Sequence, residues 1–129
     1  MFSLVPVSDA TLEFVRKLRN NPLDASAFVN NNYITPENHA IYMAQHMDKY
    51  FVCYYNEILV GFIGVVENDI RLAVTPDFRN QGVAKYMVSE IMFRFPDAHA
   101  KVKVTNGASI ALFESLGFER VFYIYESGK

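Results

Sequence analysis

The spacing of apolar residues changes abruptly in the second half of the chain. In residues 70–74 every second side chain is a large aliphatic one, which is typical of a strand, and Pro76 ends it because proline has no amide hydrogen to donate. After Gly82 the apolar residues fall on one face of a helix: Val83, Tyr86, Met87, Ile91 and Phe95. The pattern predicts a strand, a turn that contains glycine, and a helix.

The same reasoning predicts the elements that precede this turn. Residues 2–7 predict a strand, and a helix capped by Ser8 follows it. After a polar, asparagine-rich loop over residues 20–34, Thr35 and Pro36 predict the start of a second helix. Its predicted buried stripe is Ile41, Ala44 and Met47. An antiparallel meander is predicted for 51–55, 58–66 and the residues that follow Asn68–Asp69.

Two more strands and one more helix are predicted after the turn. Residues 102–104 and the aromatic run 122–125 predict strands. Between them, Asn106 is a turn and helix-cap residue, and Gly117 can supply a left-handed helix end. Helices therefore alternate with strands through the second half of the chain.

Composition limits the class of protein. The 129 residues predict one domain, residues 1–129, and 51% apolar and 15% aromatic residues predict a substantial core. A formal net charge of −2 gives no reason to expect binding to nucleic acid or to an anionic membrane. Cys53, the only cysteine, lies in an apolar run and is predicted to be a buried strand residue. No leader or membrane-spanning segment is recognisable, so a cytoplasmic protein is expected.

The predicted turn before the second-half helix suits a phosphate group. The first turn of a helix has unpaired backbone amides and partial positive charge, so it binds anions. Gly82 and Ala84 are small enough for phosphates to approach the main chain. The loop is neither a nucleotide P-loop nor a complete dinucleotide-binding motif.

Two motifs carry a resemblance to a known family. The first has Arg79, Gly82 and Ala84 at the spacing Arg-x-x-Gly-x-Ala, directly after the predicted strand. The second begins at Asn106, about 25 residues later, and ends with Leu-Phe-Glu and then Gly-Phe. Both are similar to the cofactor motifs of the GNAT family of N-acetyltransferases, and the order of elements agrees over the whole chain. The resemblance implies an α/β fold with a mixed, mostly antiparallel sheet of six or seven strands and about four helices.

The resemblance also implies roles for individual residues. In the family a backbone amide at the end of the fourth strand polarises the thioester oxygen, which here points to Val74. Leu72 and Ala73 would contact the pantetheine arm of acetyl-CoA. The pyrophosphate and the second motif would use Arg79, Asn80, Gln81, Gly82, Val83, Ala84, Lys85, Asn106, Ser109 and Phe113.

The sequence departs from the family at the groups that move protons. Many members have a tyrosine acid where this chain has Phe113, and Lys101 replaces a carboxylate base used by some relatives. Glu67 and Asp69 flank another base position, although both are also ordinary turn residues. Two function classes follow. One is an acetyltransferase, and the other is a non-catalytic module that binds CoA or acyl-CoA.

The acceptor is expected to be a weakly basic amine. Deprotonating an amine of pKa about 10.4 at pH 7 costs about 4.6 kcal/mol, against about 1 kcal/mol for an α-amine. A small molecule such as an amino sugar, or a peptide or protein N-terminus, fits better than a lysine. His39 is an acceptor-side candidate, although it shares a predicted solvated face with Tyr42 and His46. No metal site is expected, and a homodimer and an acyl donor other than acetyl-CoA both stay open.

Overall fold

A four-stranded antiparallel sheet lies at the centre of the protein. The structure, a computed structural model, describes residues 1–21 and 33–128. The strands follow chain order across the sheet and are β1 (Phe2–Pro6), β2 (Tyr50–Tyr55), β3 (Ile58–Val66) and β4 (Asp69–Val74). The described helices are α1 (Leu12–Arg19), α2 (Pro36–His46), α3 (Val83–Arg94) and α4 (Gly107–Ser115).

Tight hairpins connect the last three strands, which confirms the predicted antiparallel meander. Asn56 has a φ of 55° in the turn between β2 and β3, and Glu67 and Asn68 have φ values of 53° and 64° between β3 and β4. Such two-residue turns match the twist of the flanking strands. The second turn is closed by the pair Val66 and Asp69.

Helices cover both faces of the sheet. On one face Val15 of α1 and Met43 of α2 pack in the core that contains Phe62 and Ala73. On the other face α3 and α4 contribute to a second core cluster, with residues such as Met87, Ile91, Phe113, Cys53, Ile63 and Ile70. The α/β class is therefore confirmed, and so is the burial of Cys53, which has no exposed surface.

Two of the strand predictions were wrong: among the described residues, 102–104 and 122–125 form no strand. Residues 102–104 form no ladder with β4. The nearest pairing is an isolated parallel bridge between Asp69 and His99, before this segment. Residues 122–125 then have no neighbouring strand to pair with, and their side chains are 77–91% exposed. The described sheet consequently has four strands instead of six or seven.

The buried stripe predicted for α2 was wrong at Ile41 and Ala44, which are exposed, although Met47 does pack against the core. Ile41 is 65% exposed, whereas His39 and Met43 are buried. The helix therefore turns the face that was predicted to be solvated toward the sheet. The polar loop predicted for residues 20–34 lies mostly outside the described residues. Within residues 1–21 and 33–128, no helix is long and apolar enough to cross a membrane.

Candidate active site

The hydrogen-bond pattern of β4 determines which of its amides face away from the sheet. The Thr75 amide donates to the Val60 carbonyl at 2.9 Å, in line with the β3–β4 register. Because amides in an antiparallel ladder alternate in direction, those of Ala73 and Arg71 also point to β3. The amides of Leu72 and Val74 point to the opposite edge of β4.

The chain beside that edge diverges from β4. The Ile70 amide donates to the His99 carbonyl at 2.8 Å, and the His99 amide donates to Asn68 at 2.7 Å. The described residues beyond His99 continue no ladder toward Leu72 and Val74. The carboxyl half of β4 therefore borders an opening in which an extended ligand can hydrogen-bond to the main chain as a strand would.

A turn with left-handed backbone joins this opening to the start of α3. Asn80 has a φ of 61° and Gly82 a φ of 86°. Gly82 is the N-cap of α3, and its carbonyl accepts a hydrogen bond from the Tyr86 amide at 3.0 Å. A Cβ atom added to Gly82 would meet no atom within 4 Å. The backbone angle therefore favours glycine at this position, and the space where its side chain would lie is open.

The side chains of the turn are also in positions compatible with an anion. Gln81 is exposed and its Nε2 donates to the Asp77 carbonyl at 3.0 Å. Lys85 is exposed one residue after Ala84, while Val83 is buried and can offer only its amide. The predicted phosphate residues 79–85 thus follow β4 after the short turn Pro76–Phe78.

Helix α4 has the cap and the termination that the second motif predicted. The Asn106 Oδ1 accepts the Ser109 amide at 3.1 Å, and Gly117 has a φ of 88°. Phe113 is 9% exposed, and its ring lies edge-on to that of Phe118 at 5.2 Å. These contacts give Asn106, Ser109 and Phe113 clear structural roles. Their contacts with a cofactor stay predictions.

The candidate bases lie at the far end of β4 from Val74. Glu67 is an exposed turn residue. Asp69 is half-buried, and its Oδ1 has no hydrogen-bond partner among the described residues. At about 3.4 Å per residue, Asp69 lies about 17 Å along the strand from Val74. A role for either residue as base therefore requires transfer through water.

A tyrosine elsewhere in the chain could supply the phenol that Phe113 lacks, and Tyr86, Tyr123 and Tyr125 are three candidates. Tyr86 packs against Phe2 at 5.3 Å, on the strand at the opposite edge of the sheet from β4. Tyr123 and Tyr125 are 78% and 91% exposed in the C-terminal segment.

A cavity of about 250 Å³ lies between α1, α2 and the sheet. Its polar lining comes from α1, α2, β2 and β4, with Phe62 of β3 beneath: Arg19, His39, Tyr42, Tyr50 and Arg71. Tyr50 pairs with Gly64, and Gly64 pairs with Arg71. A Cβ at Gly64 would collide with the Tyr50 ring, so the glycine allows this ring to lie on the sheet.

Hydrogen bonds connect the polar side chains of the cavity. The hydroxyl groups of Tyr42 and Tyr50 are 2.8 Å apart, and Arg71 Nη1 donates to the Tyr42 hydroxyl at 3.0 Å. Burial, reinforced by the bond to Tyr42, raises the pKa of Tyr50. Burial, reinforced by the positive charge of Arg16, lowers the pKa of His39, which is therefore neutral at pH 7.

Side chains at the end of α1 bind the main chain before α2 on one side of this cavity. Asn20 at the end of α1 bonds to Ile34 in both directions: its Nδ2 donates to the Ile34 carbonyl at 2.8 Å, and its Oδ1 accepts the Ile34 amide at 2.9 Å. Arg16, which forms an ion pair with Glu13, also donates to the Ile34 carbonyl at 3.2 Å. These bonds hold the residues before α2 against α1.

The sequence analysis missed two residues of this cavity. Arg71 was interpreted only as the polar member of an alternating strand, and Tyr50 was not considered. The signal was an arginine on β4 that lies level with a glycine on β3 and with a tyrosine on the next strand, β2. His39 was named as an acceptor-side candidate, and it does line the cavity.

Comparison with known proteins identifies the family. Residues 46–120 match the family model of the acetyltransferase (GNAT) domain, which is more than half of the chain and runs from the end of α2 past α4. The matched domain thus defines an acetyltransferase fold, to which the open strand edge and the turn before α3 belong. The chain belongs to the GNAT acetyltransferase family, as the two motifs predicted.

Solved structures share the fold at low sequence identity. A domain from Methanocaldococcus jannaschii DSM 2661 is 22% identical with a TM-score of 0.82, covering 94% of this chain and 90% of that one. Spermidine N-acetyltransferase from Vibrio cholerae, solved with CoA and spermine, is 18% identical with a TM-score of 0.83, at coverages of 95% and 83%. The ribosomal-protein-S18-alanine N-acetyltransferase of Escherichia coli is 19% identical with a TM-score of 0.68, at coverages of 95% and 80%. No curated protein matches the chain.

Proposed function

We propose that this protein is an N-acetyltransferase that transfers the acetyl group of acetyl-CoA to a primary amine of a small molecule, such as an amino sugar, or of a peptide or protein N-terminus. One observation carries the proposal. The amides of Leu72 and Val74 face an open strand edge, and the chain continues from there into the left-handed turn at the start of α3. Acetyl-CoA is an extended ligand: its thioester would bind at the strand edge, and its pyrophosphate at the turn before α3.

In this proposal, backbone groups make most of the contacts with acetyl-CoA. The Val74 amide donates to the thioester oxygen and stabilises the negative charge that develops there when the amine attacks. A donor placed in this way contributes about 3 to 4 kcal/mol in acyl-transfer enzymes. Leu72 offers its main-chain groups to the pantetheine arm, whereas those of Ala73 lie in the β3 ladder. The amides of residues 80–85 receive the pyrophosphate at the helix N-terminus.

Proton transfer is the weaker part of the machinery. The attacking amine must lose a proton, and Asp69, the half-buried carboxylate of β4, lies about 17 Å along the strand from Val74. An α-amine or amino sugar needs little help, because its neutral form costs only about 1 kcal/mol at pH 7. Phe113 cannot protonate the departing thiolate, but a thiolate with a pKa near 8.5 is a tolerable leaving group.

The second candidate function is a module that binds CoA or acyl-CoA without transferring the acyl group. The missing phenol at Phe113 and the distance of Asp69 from Val74 favour it. Both functions require the same strand edge and the same phosphate turn. They differ only in whether an amine is consumed.

Thiol release from acetyl-CoA separates the two functions. The purified protein is incubated with acetyl-CoA and with amino sugars, peptides or polyamines, and free CoA is followed with a thiol-reactive chromophore. Cys53 contributes little background, because it is fully buried and burial raises its pKa to about 11. Acceptor-dependent release supports the enzyme. Retained CoA binding without release in any reaction supports the binding module.

A further inference from the structure

We propose that residues 121–125, the aromatic segment, bind the same segment of a second copy of this chain. The two segments pair as antiparallel strands about a two-fold axis that passes through Tyr123. The inference goes beyond the proposed acetyl transfer and does not depend on it. It gives a partner to a run of residues that has the composition of a strand but pairs with no strand among the described residues.

Both faces of the aromatic segment are exposed. Neighbouring side chains of a strand point to opposite faces, so odd-numbered and even-numbered residues would form two separate sets. Val121, Tyr123 and Tyr125 are 71–91% exposed, and Phe122 and Ile124 are 87% and 77% exposed. Neither set is therefore covered by the rest of the chain. A contiguous exposed apolar patch of this kind is typical of an interaction surface.

The residues just before the segment are held on α4. The ring of Phe118 lies edge-on to that of Phe113 at 5.2 Å. Arg120 Nε donates to Glu114 Oε2 at 2.6 Å. The aromatic segment therefore begins from a fixed base and presents its side chains to solvent.

The sequence of the segment favours one antiparallel register. With Tyr123 opposite the partner's Tyr123, Phe122 lies opposite Ile124 and Val121 lies opposite Tyr125. At each end of the paired run, the exposed Arg120 then lies opposite the exposed Glu126 of the other copy. Aromatic residues opposite β-branched ones, and opposite charges facing each other, both stabilise antiparallel pairs. The two-fold axis makes every one of these contacts twice.

Other registers lose this match. Centring the pair on Phe122 would place Arg120 opposite Ile124, and centring it on Ile124 would place Glu126 opposite Phe122. Each shift therefore sets a charged side chain against an apolar one and removes the two ion pairs. The charges that flank the segment thus select the register at Tyr123 and the second copy as the partner.

The area of the segment is compatible with a weak dimer. Its three aromatic side chains carry about 450 to 750 Å² in one copy, at about 150 to 250 Å² each. They are 78–91% exposed, so nearly all of this area is in contact with water. Two copies bring about 900 to 1,500 Å², and specific interfaces begin near about 1,200 Å². Because strand pairing covers only part of the area, we expect a reversible dimer with a Kd of about 1 to 100 μM.

Sedimentation velocity of the purified protein between about 1 and 300 μM measures this Kd. Tyr123→Lys would place two ammonium groups opposite each other on the axis, so it should raise the Kd at least about tenfold. Phe93→Lys is the matched control, because Phe93 is an 84% exposed aromatic residue on α3, outside the segment. It makes the same change of charge and should leave the Kd within about twofold of the wild type.

A charge reversal tests the pairs at the two ends. Glu126→Arg would set guanidinium groups against each other in both pairs, and the Kd should rise about threefold to tenfold. The double variant Arg120→Glu with Glu126→Arg reverses both charges of each pair and should restore most of the affinity. The contact between Arg120 and Glu114 is lost in that variant, but it lies within one chain and is lost equally from monomer and dimer.

Oxidative cross-linking tests the register. In the proposed pair the two Tyr123 Cβ atoms are about 5 Å apart, so Tyr123→Cys should form a disulfide-linked dimer with diamide. Tyr125→Cys is the control, since the same residue of the partner lies about 14 Å further along the strand. Its cross-linking should be at least about tenfold slower. Cys53 adds no cross-link, because it is fully buried and burial raises its pKa to about 11.

A protein that stays monomeric up to about 300 μM would overturn the inference. So would a dimer that ignores Tyr123→Lys and Glu126→Arg, because it would form through another surface. Equal cross-linking rates for Tyr123→Cys and Tyr125→Cys would place the segment against a different part of the partner and would also overturn it. None of these measurements requires acetyl transfer, so their outcome leaves the proposed function to its own test.

Discussion

The Thr75 amide donates to the Val60 carbonyl at 2.9 Å, and this bond fixes the direction of every amide in β4. The Ile70 amide, four residues before Val74, donates to His99 on the other side of the strand, as the alternation of amide directions requires. Two independent contacts thus turn the Val74 amide to the open edge. No side chain is needed to produce this donor, so a substitution at Val74 would leave it in place.

Gly82→Asn should weaken CoA binding by about tenfold or more, measured by calorimetric titration. Asparagine tolerates the left-handed backbone that Gly82 adopts, so the fold should survive. Its side chain would extend into the open space in front of the α3 amides, where the pyrophosphate is expected. A β-branched residue would be a poorer probe, because it would strain the turn itself.

Gly117→Asn is the matched control for this variant. Gly117 has nearly the same φ, 88°, and an added Cβ there also meets no atom within 4 Å. It should cost similar stability and leave the CoA affinity within about twofold of the wild type. Equal affinities for the two variants would mean that the loop at Gly82 is only a turn.

Acetyl-CoA should raise the melting temperature by several degrees. A ligand at about 100 times its Kd stabilises the folded state by about 2.7 kcal/mol. Dephospho-CoA should keep most of the shift, and pantetheine should give little, since it lacks the pyrophosphate. Thermal melts with the three ligands measure this. An equal response to pantetheine and CoA would contradict the phosphate site.

Phe113→Tyr should preserve or raise the acetylation rate if the new phenol reaches the sulfur. The side chain is buried against Phe118, so an unpaired hydroxyl would cost about 1 to 3 kcal/mol of stability. Phe118→Tyr adds a hydroxyl to the neighbouring ring and serves as the control. Rates and urea unfolding are measured for both. A folded Phe113→Tyr protein with a large loss of rate would exclude the phenol from this position.

Acid should destabilise the wild type more than it destabilises a His39→Gln variant. Because burial lowers the pKa of His39 in the folded state, the unfolded state binds its proton first as the pH falls. The stabilisation by neutral His39 is complete above about pH 6.5 and is lost as the pH falls through the folded pKa. Urea unfolding at pH 7 and pH 5 measures the difference, with the exposed His99→Gln as control. Equal acid losses in all three proteins would place His39 in solvent.

Local patterns predicted the parts of the fold that depend on neighbours in sequence. The alternation in β4, the left-handed helix end at Gly117 and the capping role of Asn106 were all predicted correctly. Each depends on the residue itself or on those within a few positions. The turn between β4 and α3 followed from the same kind of information, whereas its binding of phosphate stays a prediction.

Features that depend on distant partners could not be predicted in this way. His39 lies on an apolar sheet face because Met43, four residues later, packs into the core, and single-helix periodicity favoured Ile41 instead. The residues 122–125 have the composition of a strand but no partner strand in the described structure. The row of Tyr50, Gly64 and Arg71 exists only through the register of three strands.

Amide hydrogen exchange of β4, followed by NMR, tests the central claim most directly. In the free protein the Val74 amide should exchange faster than that of Ala73, which points to the β3 ladder. Saturating acetyl-CoA should slow Val74 by at least about tenfold more than it slows Ala73, because the thioester oxygen accepts its hydrogen. A Val74 amide that is already as protected as Ala73, or that ignores acetyl-CoA at saturation, would contradict the account.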